Sequence, residues 1–561
     1  MRDNGPNGWC WDAEAHIKNV TTYMITSGLA KLGYNRVNVD EGWLKGRNAQ
    51  GVMYEDLDKF PSGMKALGDW IKAQETYPGS GEYMHYGLYS CRGTCQCGTN
   101  TYSAPGSNGH EAADVDFMVA AGADYLKIDR LVSAAEPRPA APHARSAYRG
   151  LPPPTPPPHP SSCCGSQDHA VAFSDYAKFR DAMNATGKQV WFSLCGWETW
   201  YSPPDPSLNY TGGGSLGNSW RIAGDGQDWR ALTNCMNTQA GAAPYIGLGA
   251  WADPDLLIGP EVYVGGQSDV NARAQFSMWS LFPTNLLVSQ NVLQWSPYAL
   301  ETYSNAEAIA INQDPLGSPA RRIVGGDLTF PCHSAASSSV QALPCNPSDP
   351  NQQWAWDSAS GLITSVGGKG VLASTGSAAG APVAVVAAGG AGASAQWSWP
   401  AAGSPGGGPA VNRARGECLD VYDWAGPLVD TFTCNGGSNQ ALSWDSATGT
   451  ISEPHSVAPA GTGPPLCLAF SPSPPQQCTN VWGRQLSSGY ALGMVNNGDA
   501  PANVTCDSAC FAAMNVTAAA GRLRVRDVWA HMDVATLQPP YAFSAVLNAS
   551  GTAALYTLTP L

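Results

Sequence analysis

Basic charge is scarce in this 561-residue chain: 30 Lys and Arg stand against 44 Asp and Glu, a formal net charge of −14. A phosphate-backbone partner would want a basic stripe, so nucleic acid is excluded as the expected ligand. Apolar runs of membrane length are also missing, as are HExxH, a set of CxxC pairs, and a GxGxxG after an early strand. These absences remove a bilayer-spanning helix, the common zinc sites and a dinucleotide-binding sheet. The nine histidines are scattered, so no metal and no cofactor is expected. The opening Met1-Arg2-Asp3-Asn4-Gly5 has none of the features of a signal peptide.

What is present points outward from the cytosol. Sixteen cysteines suit disulfide chemistry, and six glycosylation sequons occur, at Asn19, Asn184, Asn209, Asn503, Asn515 and Asn548. Together they predict the secretory pathway, with an extracellular, vacuolar or lysosomal destination. The missing signal peptide conflicts with that, and the expectation is that the natural N-terminus lies upstream. Length exceeds one ordinary domain, and 43% hydrophobic residues suffice for a large core. Twenty Trp and 21 Tyr serve equally as core filling or as platforms for the apolar faces of sugars.

From Asn19 to about Gln313, short apolar runs alternate with helical patterns. The predicted strands are Arg36–Val39, Tyr86–Tyr89, Tyr125–Ile128, Val190–Leu194, Trp220–Ile222, Tyr245–Leu248 and Leu286–Val288. Continuous apolar strands separated by helices indicate a parallel sheet covered on both faces, here a (β/α)8 barrel short of its first strand. Arg130–Ser161, with its proline runs, breaks the pattern and reads as polyproline II or unstructured chain. After Gln313 the texture turns to Gly, Ala, Ser and Pro. Similar segments begin at Cys332, Val371, Cys418 and Cys467, with Trp354, Trp397 and Trp444 closing the first three. That repeat predicts a β-trefoil, and further alternating strands from Val481 predict an antiparallel β-domain.

Acids recur at the C-terminal ends of the barrel strands: Asp40 and Glu41, Asp129, Asp225, and Asp253 with Asp255. A single acid there is often a helix cap; four strand ends carrying them make coincidence a poor account. Barrels place catalysis at this face, and glycosidic hydrolysis needs two carboxyl groups. The runs GYNRVNVDEGW (33–43), YLKID (125–129), FSLCGW (192–197), GNSWRIAGD (217–225), WADPDLL (251–257) and NQDPLG (312–317) resemble glycoside hydrolase family 27 in order and spacing over about 300 residues. That family holds α-galactosidases, α-N-acetylgalactosaminidases and β-L-arabinopyranosidases.

The resemblance implies a retaining exo-glycosidase with Asp129 as nucleophile and Asp225 as general acid and base, acting without a cofactor on galactosides or L-arabinopyranosides. It also implies sugar contacts from Asp40, Glu41, Lys127, Cys195, Arg221 and Asp255, with Tyr89 near the nucleophile and Trp43 as a pocket wall. For Tyr89 and Trp43 core packing is an equal alternative. Double displacement expects the two carboxyls about 5–5.5 Å apart. Family members usually carry Asp-Asp where this chain has Asp40-Glu41, and the extra methylene crowds the hydroxymethyl group of galactose. β-L-arabinopyranosidase is therefore the second activity weighed.

A cysteine two residues after the nucleophile is also usual in the family. Here Asp129 is followed by Arg130, and removing Arg130–Ser161 restores it as Ser162-Cys163, with Cys97 as the implied disulfide partner. The insert is expected to be an artefact such as a retained intron, with a genuine loop as the alternative. The family's opening barrel strand finds no convincing match.

The implied organisation is a catalytic barrel over 1–317, a β-sandwich from 318–331 and 479–561, and a trefoil inserted at 332–478. The trefoil resembles ricin-type carbohydrate-binding modules, most clearly in Glu417–Trp444, where Asp420, Phe432, Asn439 and Gln440 match the sugar-holding positions. It implies disulfides Cys418–Cys434, Cys332–Cys345 and Cys467–Cys478, and polysaccharide as a possible ligand. An inert sugar-binding protein is the alternative of another class. Oligomeric state is not legible.

Overall fold

The computed structural model describes residues 13–96, 104–129, 169–196, 213–226, 228–260, 267–328, 332, 338–375, 381–390, 392–404, 407–422, 427–457, 465–472 and 476–561. Arg130–Ser161, Cys97 and Cys163 lie outside the described residues.

The first part is a parallel barrel wall. Its strands are β1 (Arg36–Val39), β4 (His85–Cys91), β5 (Tyr125–Asp129), β6 (Trp191–Cys195), β7 (Ser219–Arg221) and β8 (Trp251–Asp253), bonded in that order. A short hairpin, β2 (Leu44–Arg47) with β3 (Met53–Glu55), follows β1. Helices Gly63–Lys72, Glu111–Ala120, His169–Ala185 and Trp229–Ala242 return the chain between strands. Strand residues such as Leu88, Leu126, Leu194 and Trp220 are completely buried, as expected of strands covered on both faces. Gly87 permits close packing there: a Cβ on it would sit 2.0 Å from Asn38 Oδ1.

Two predicted strands come out differently. Tyr245–Leu248 starts on the last residue of a 3-10 turn, Ala243–Tyr245, with Pro244 inside it, and runs into a tight loop bridged Gly247 to Ala250 with Gly249 at φ +79°, so β8 begins only at Trp251. Leu286–Val288 contributes a single parallel bridge, Val288 to Leu257. Between that bridge and β1 no strand stands among the described residues, and a cavity of about 570 Å³ opens there, lined in part by Val37, Asp40 and Val288.

Arg321–Val324 (β9) pairs antiparallel with Thr479–Leu486, so one β-domain takes strands from both sides of the intervening segment 325–478. Its six-stranded sheet continues through Gly489–Asn496, Thr552–Pro560, Leu523–Asp527 and Met532–Leu537, over a core including Leu492, Phe511, Val525 and Leu558. This C-terminal β-sandwich docks on the barrel through buried bonds: Arg484 Nη1 donates to Ile311 O at 2.7 Å and Asn305 Nδ2 to Val528 O at 3.0 Å.

The intervening chain forms its own β-structure around Trp354, Trp397, Leu419, Leu442 and Leu468. Three hairpins close on one another in a ring. Trp354 N donates to Gly449 O (2.7 Å), Trp397 N to Gly361 O (2.8 Å) and Leu442 N to Gly408 O (3.1 Å). This ring corrects the expected repeat: Leu442, not Trp444, is the equivalent of Trp354 and Trp397. Trp444 sits two residues later, as Trp356 and Trp399 do.

Four disulfides stand among the described residues. Cys418–Cys434 pairs within one repeat. The pairings Cys332–Cys345 and Cys467–Cys478 are replaced by Cys332–Cys478 and Cys345–Cys467. Strand register explains the change: Val340–Pro344 pairs antiparallel with Pro465–Phe470, bringing the segment's two ends together rather than closing each repeat on itself. Cys506–Cys510 is the fourth, and Cys95 is also disulfide-bonded.

Candidate active site

Adjacent parallel strands bring the strand-end side chains to one rim. The register aligns Cys91, Asp129 and Cys195 across β4, β5 and β6, and β7 beside them ends on Arg221. Asp129 is buried. Its Oδ2 accepts a 3.0 Å bond from the Tyr89 hydroxyl and lies 4.0 Å from Lys127 Nζ. Lys127, two residues back on the same strand face, also donates to Asp40 Oδ2 at 2.9 Å and sits 5.1 Å over the Tyr89 ring. Burial pushes Asp40 up, but the Lys127 charge and hydrogen bond and the Glu41 N–H together leave it below its ordinary value. Burial works against the charged form of Lys127 as well, yet Asp40, Cys195 and Asp129 hold it well above the usual range.

Trp43 is wholly buried, stacked on Phe117, and its indole N–H donates to Tyr89 O at 3.0 Å. It braces the strand that carries Tyr89 rather than lining open space. Glu41 is half-buried, and its backbone N–H donates to Asp40 Oδ1 at 2.8 Å.

Arg221 organises the opposite half. Its buried guanidinium pairs with Asp225 Oδ1 at 3.0 Å and Asp255 Oδ1 at 2.9 Å, and Nη1 reaches Cys195 Sγ at 3.6 Å. Asp225 is 48% exposed, at the mouth, whereas Asp255 is buried. Asp255 takes φ +88°, a left-handed conformation that a non-glycine residue rarely adopts, and its Oδ2 accepts from Gly226 N at 2.6 Å. It thus ties the Asp225 loop to the end of β8. Burial, the Asp225 and Asp253 charges opposing Arg221, pushes the Asp255 carboxyl up to about 6.

Asp253, noticed as a strand-end acid but assigned no role, completes this half: buried, raised chiefly by burial, it accepts from Asp255 N at 2.8 Å. Its alternation with Asp255 in Trp251-Ala-Asp-Pro-Asp was the available signal. The Cys195 thiol is buried between the halves. Burial, then the Asp129 charge, raise it well above its ordinary value, and Lys127, Arg221 and Asp225 act on it too. Asp129 ends β5, and Asp225 stands in the loop four residues past the end of β7, joined to the Cys195 side of the rim through Arg221.

The sequence matches the family described as alpha galactosidase A over residues 6–140 and 161–314, more than half the chain. The chain belongs to this family. A second match, to the alpha galactosidase C-terminal beta sandwich domain, covers 476–557. The break in the first match, 141–160, falls inside the proline-rich segment. An alpha-galactosidase of Oryza sativa subsp. japonica is 32% identical over 325 residues, 57% of this chain and 65% of the rice protein; the match thus spans just under two thirds of that relative. Among solved structures, alpha-galactosidase I from Mortierella vinacea aligns with a TM-score of 0.56 at 18% identity, covering 98% of this chain and 93% of the other. A family 27 β-L-arabinopyranosidase from Geobacillus stearothermophilus, in complex with arabinose, aligns at 0.53 and 13%, covering 98% and 95%. These likenesses carry the fold: a TIM barrel followed by a β-sandwich.

In the ring of hairpins, Asn439 Nδ2 and Gln440 Nε2 both donate to Asp420 Oδ2 at 2.9 Å, and all three side chains are buried. Phe432 is half-buried nearby in the chain. Beside this group, Arg230 of helix Trp229–Ala242 pairs with Asp430 at 2.6 Å and lies 4.0 Å over the Tyr422 ring.

Proposed function

We propose that the chain is a retaining exo-glycosidase that removes terminal α-D-galactosyl residues by double displacement. The carrying observation is the pair of acids in unlike settings around one hollow: Asp129 buried and held by Tyr89 and Lys127, Asp225 at the open mouth on Arg221. Asp129, stabilised as an anion by the lysine and the tyrosine hydroxyl, attacks the anomeric carbon. Asp225 gives its proton to the departing oxygen, and its place at the mouth lets leaving group and water pass. It then takes a proton from the incoming water, which releases the sugar from Asp129 with its configuration kept. Asp40 with Lys127, and Asp255 with Arg221, present charged partners for ring hydroxyls, and Cys195 forms the floor.

Glu41 favours the second activity, β-L-arabinopyranosidase, because a longer acid beside Asp40 narrows the space for a hydroxymethyl group. One methylene is worth about 1–3 kcal/mol in such discrimination. Rates on nitrophenyl α-D-galactoside and β-L-arabinopyranoside decide between them. A galactoside preference left intact by Glu41→Asp removes the second. Asp129→Ala should abolish turnover of either substrate, and an unaffected rate would overturn the assignment.

The segment 332–478 reads as an inserted ricin-type β-trefoil, supported by the three-membered ring of hairpin bonds and the Cys332–Cys478 disulfide at its base. Asp420, Phe432, Asn439 and Gln440 are its sugar-holding group. Polysaccharide retention lost in Phe432→Ala supports this role, and unchanged retention counts against it. Four disulfides favour the secretory route.

A further inference from the structure

The ring of hairpins carries a second aromatic layer above its core. Trp354, Trp397 and Leu442 fill the inner layer and are buried. Two residues further along each hairpin stand Trp356, Trp399 and Trp444, on strands Trp354–Asp357, Trp397–Ser398 and Ser443–Trp444 or just past their ends. All three line one open depression of about 510 Å³ at the hairpin end of the assembly, with Ser358, Asp445 and Ser446 also around it. That size falls within the range of small-ligand sites, roughly 300–1,000 Å³.

The three tryptophans are not alike in attachment. Trp399 Nε1 donates to Gly408 O and Trp444 Nε1 to Trp354 O, both at 3.0 Å. These bonds make Trp399 the buried floor and Trp444 a half-buried wall. Trp356 is also half-buried, packed at 5.8 Å against Trp399, and its indole N–H donates to no described protein group. Trp399 belongs to the buried core, whereas Trp356 and Trp444 pack against that core and are only half-buried, on the lining of the hollow. Two of the hairpins turn through near-identical runs, Asp357-Ser-Ala-Ser and Asp445-Ser-Ala-Thr. Each is fixed by its aspartate: Ala359 N to Asp357 at 3.0 Å, Ala447 N to Asp445 at 2.9 Å. The rim is therefore preformed, rich in hydroxyls and negative.

We propose that this depression is a carbohydrate-binding site for the sugar units of a neutral polysaccharide, separate from the Asp420 group. The C–H faces of pyranose rings stack on Trp356 and Trp444, Trp356 N–H donates to a hydroxyl, and the serines meet the rest. The acidic rim disfavours sulfated or phosphorylated chains. The proposal rests on the reading of the protein as acting on sugars, and would tether it to a polymer while the barrel trims chain ends.

The test is affinity electrophoresis of the full chain in gels containing soluble galactomannan, beside turnover of nitrophenyl α-D-galactoside. Trp356→Ala should weaken retention at least tenfold with turnover unchanged, and Trp356→Phe should stay within threefold of wild type. Should Trp356→Ala fold poorly, Ser446→Arg, an exposed change that fills the mouth, should lose retention as well. Retention untouched by Trp356→Ala or Ser446→Arg but abolished by Asp420→Ala overturns the proposal. So does wild-type protein that turns over the nitrophenyl substrate and is not retained at all. Retention without turnover would instead defeat the hydrolase reading and leave the depression standing.

Discussion

Asp255→Asn keeps the outline of a buried side chain and removes its charge. In the native protein burial leads in raising Asp255 from 3.8 to about 6, with Asp225 and Asp253 adding to it and Arg221 and the Gly226 N–H pulling back. The folded state therefore holds a proton, between pH 3.8 and about 6, that the unfolded chain has already released. The stability this contributes is fully present below the lower value and is lost as pH rises through the upper one. At about 1.4 kcal/mol per unit the rise is worth roughly 3 kcal/mol.

The variant has no such titration. Its melting temperature relative to wild type should rise by about 5 °C between pH 4 and pH 7, at roughly 2 °C per kcal/mol for a barrel this large. Calorimetry across that range reads it directly. Activity supplies the second readout. Asparagine offers Arg221 no opposite charge, and the Gly226 contact that anchors the Asp225 loop weakens, so kcat should fall 10- to 100-fold and KM should rise as the ring-hydroxyl contacts loosen. The wild-type decline in rate as pH drops through about 6 should lose the part owed to Asp255. A melting gap that stays constant with pH, together with an unmoved rate profile, would refute the reasoning.

Tyr89→Phe removes one hydrogen bond to a charged carboxylate, worth about 1.5–3 kcal/mol, and should lower kcat/KM 10- to 150-fold on nitrophenyl galactoside. A loss under threefold would leave Tyr89 a packing residue. Arg230→Met strands Asp430, which burial, against the Arg230 charge, pushes up to about 7. The variant should be destabilised more at pH 8, where the acid must ionise unpaired, than at pH 5, where it is protonated; equal melting shifts at both pH values would count against the pairing. Gly87→Ala forces a Cβ to within 2.0 Å of Asn38 Oδ1 and should cut soluble yield and melting temperature sharply, and a normal melt would show that β1 can shift aside.

The barrel was legible because its strands are buried on both faces, so Tyr86–Tyr89, Tyr125–Ile128 and Val190–Leu194 read as near-continuous apolar runs. Tyr245–Leu248 has the same apolar look, but a proline before it and two glycines within and after it turn the chain instead, and local composition gave no weight to that. The site acids were legible as types at strand ends, since charge placed beside apolar runs needs a reason. What they touch was not. The Asp253–Asp255 bond depends on a left-handed backbone at Asp255, which no residue type announces. Disulfide partners were the least legible: Cys345 meets Cys467 across 122 residues because two strands pair, and spacing along the chain favours near neighbours.

Charge balance joins these pieces. Five aspartates, 40, 129, 225, 253 and 255, meet around Lys127 and Arg221, so the hollow carries more negative than positive charge even with Asp255 sharing a proton near pH 6. For a neutral sugar in its ground state this surplus gives little. On the proposed mechanism the oxocarbenium-like transition state is positive, and carboxylates fixed around it stabilise it without rearranging. The two cations do not cancel that field; each stands between acids that would otherwise repel, Lys127 between Asp40 and Asp129, Arg221 between Asp225 and Asp255. Burial supplies the strength of the field, and the paired cations keep the acids in place to exert it.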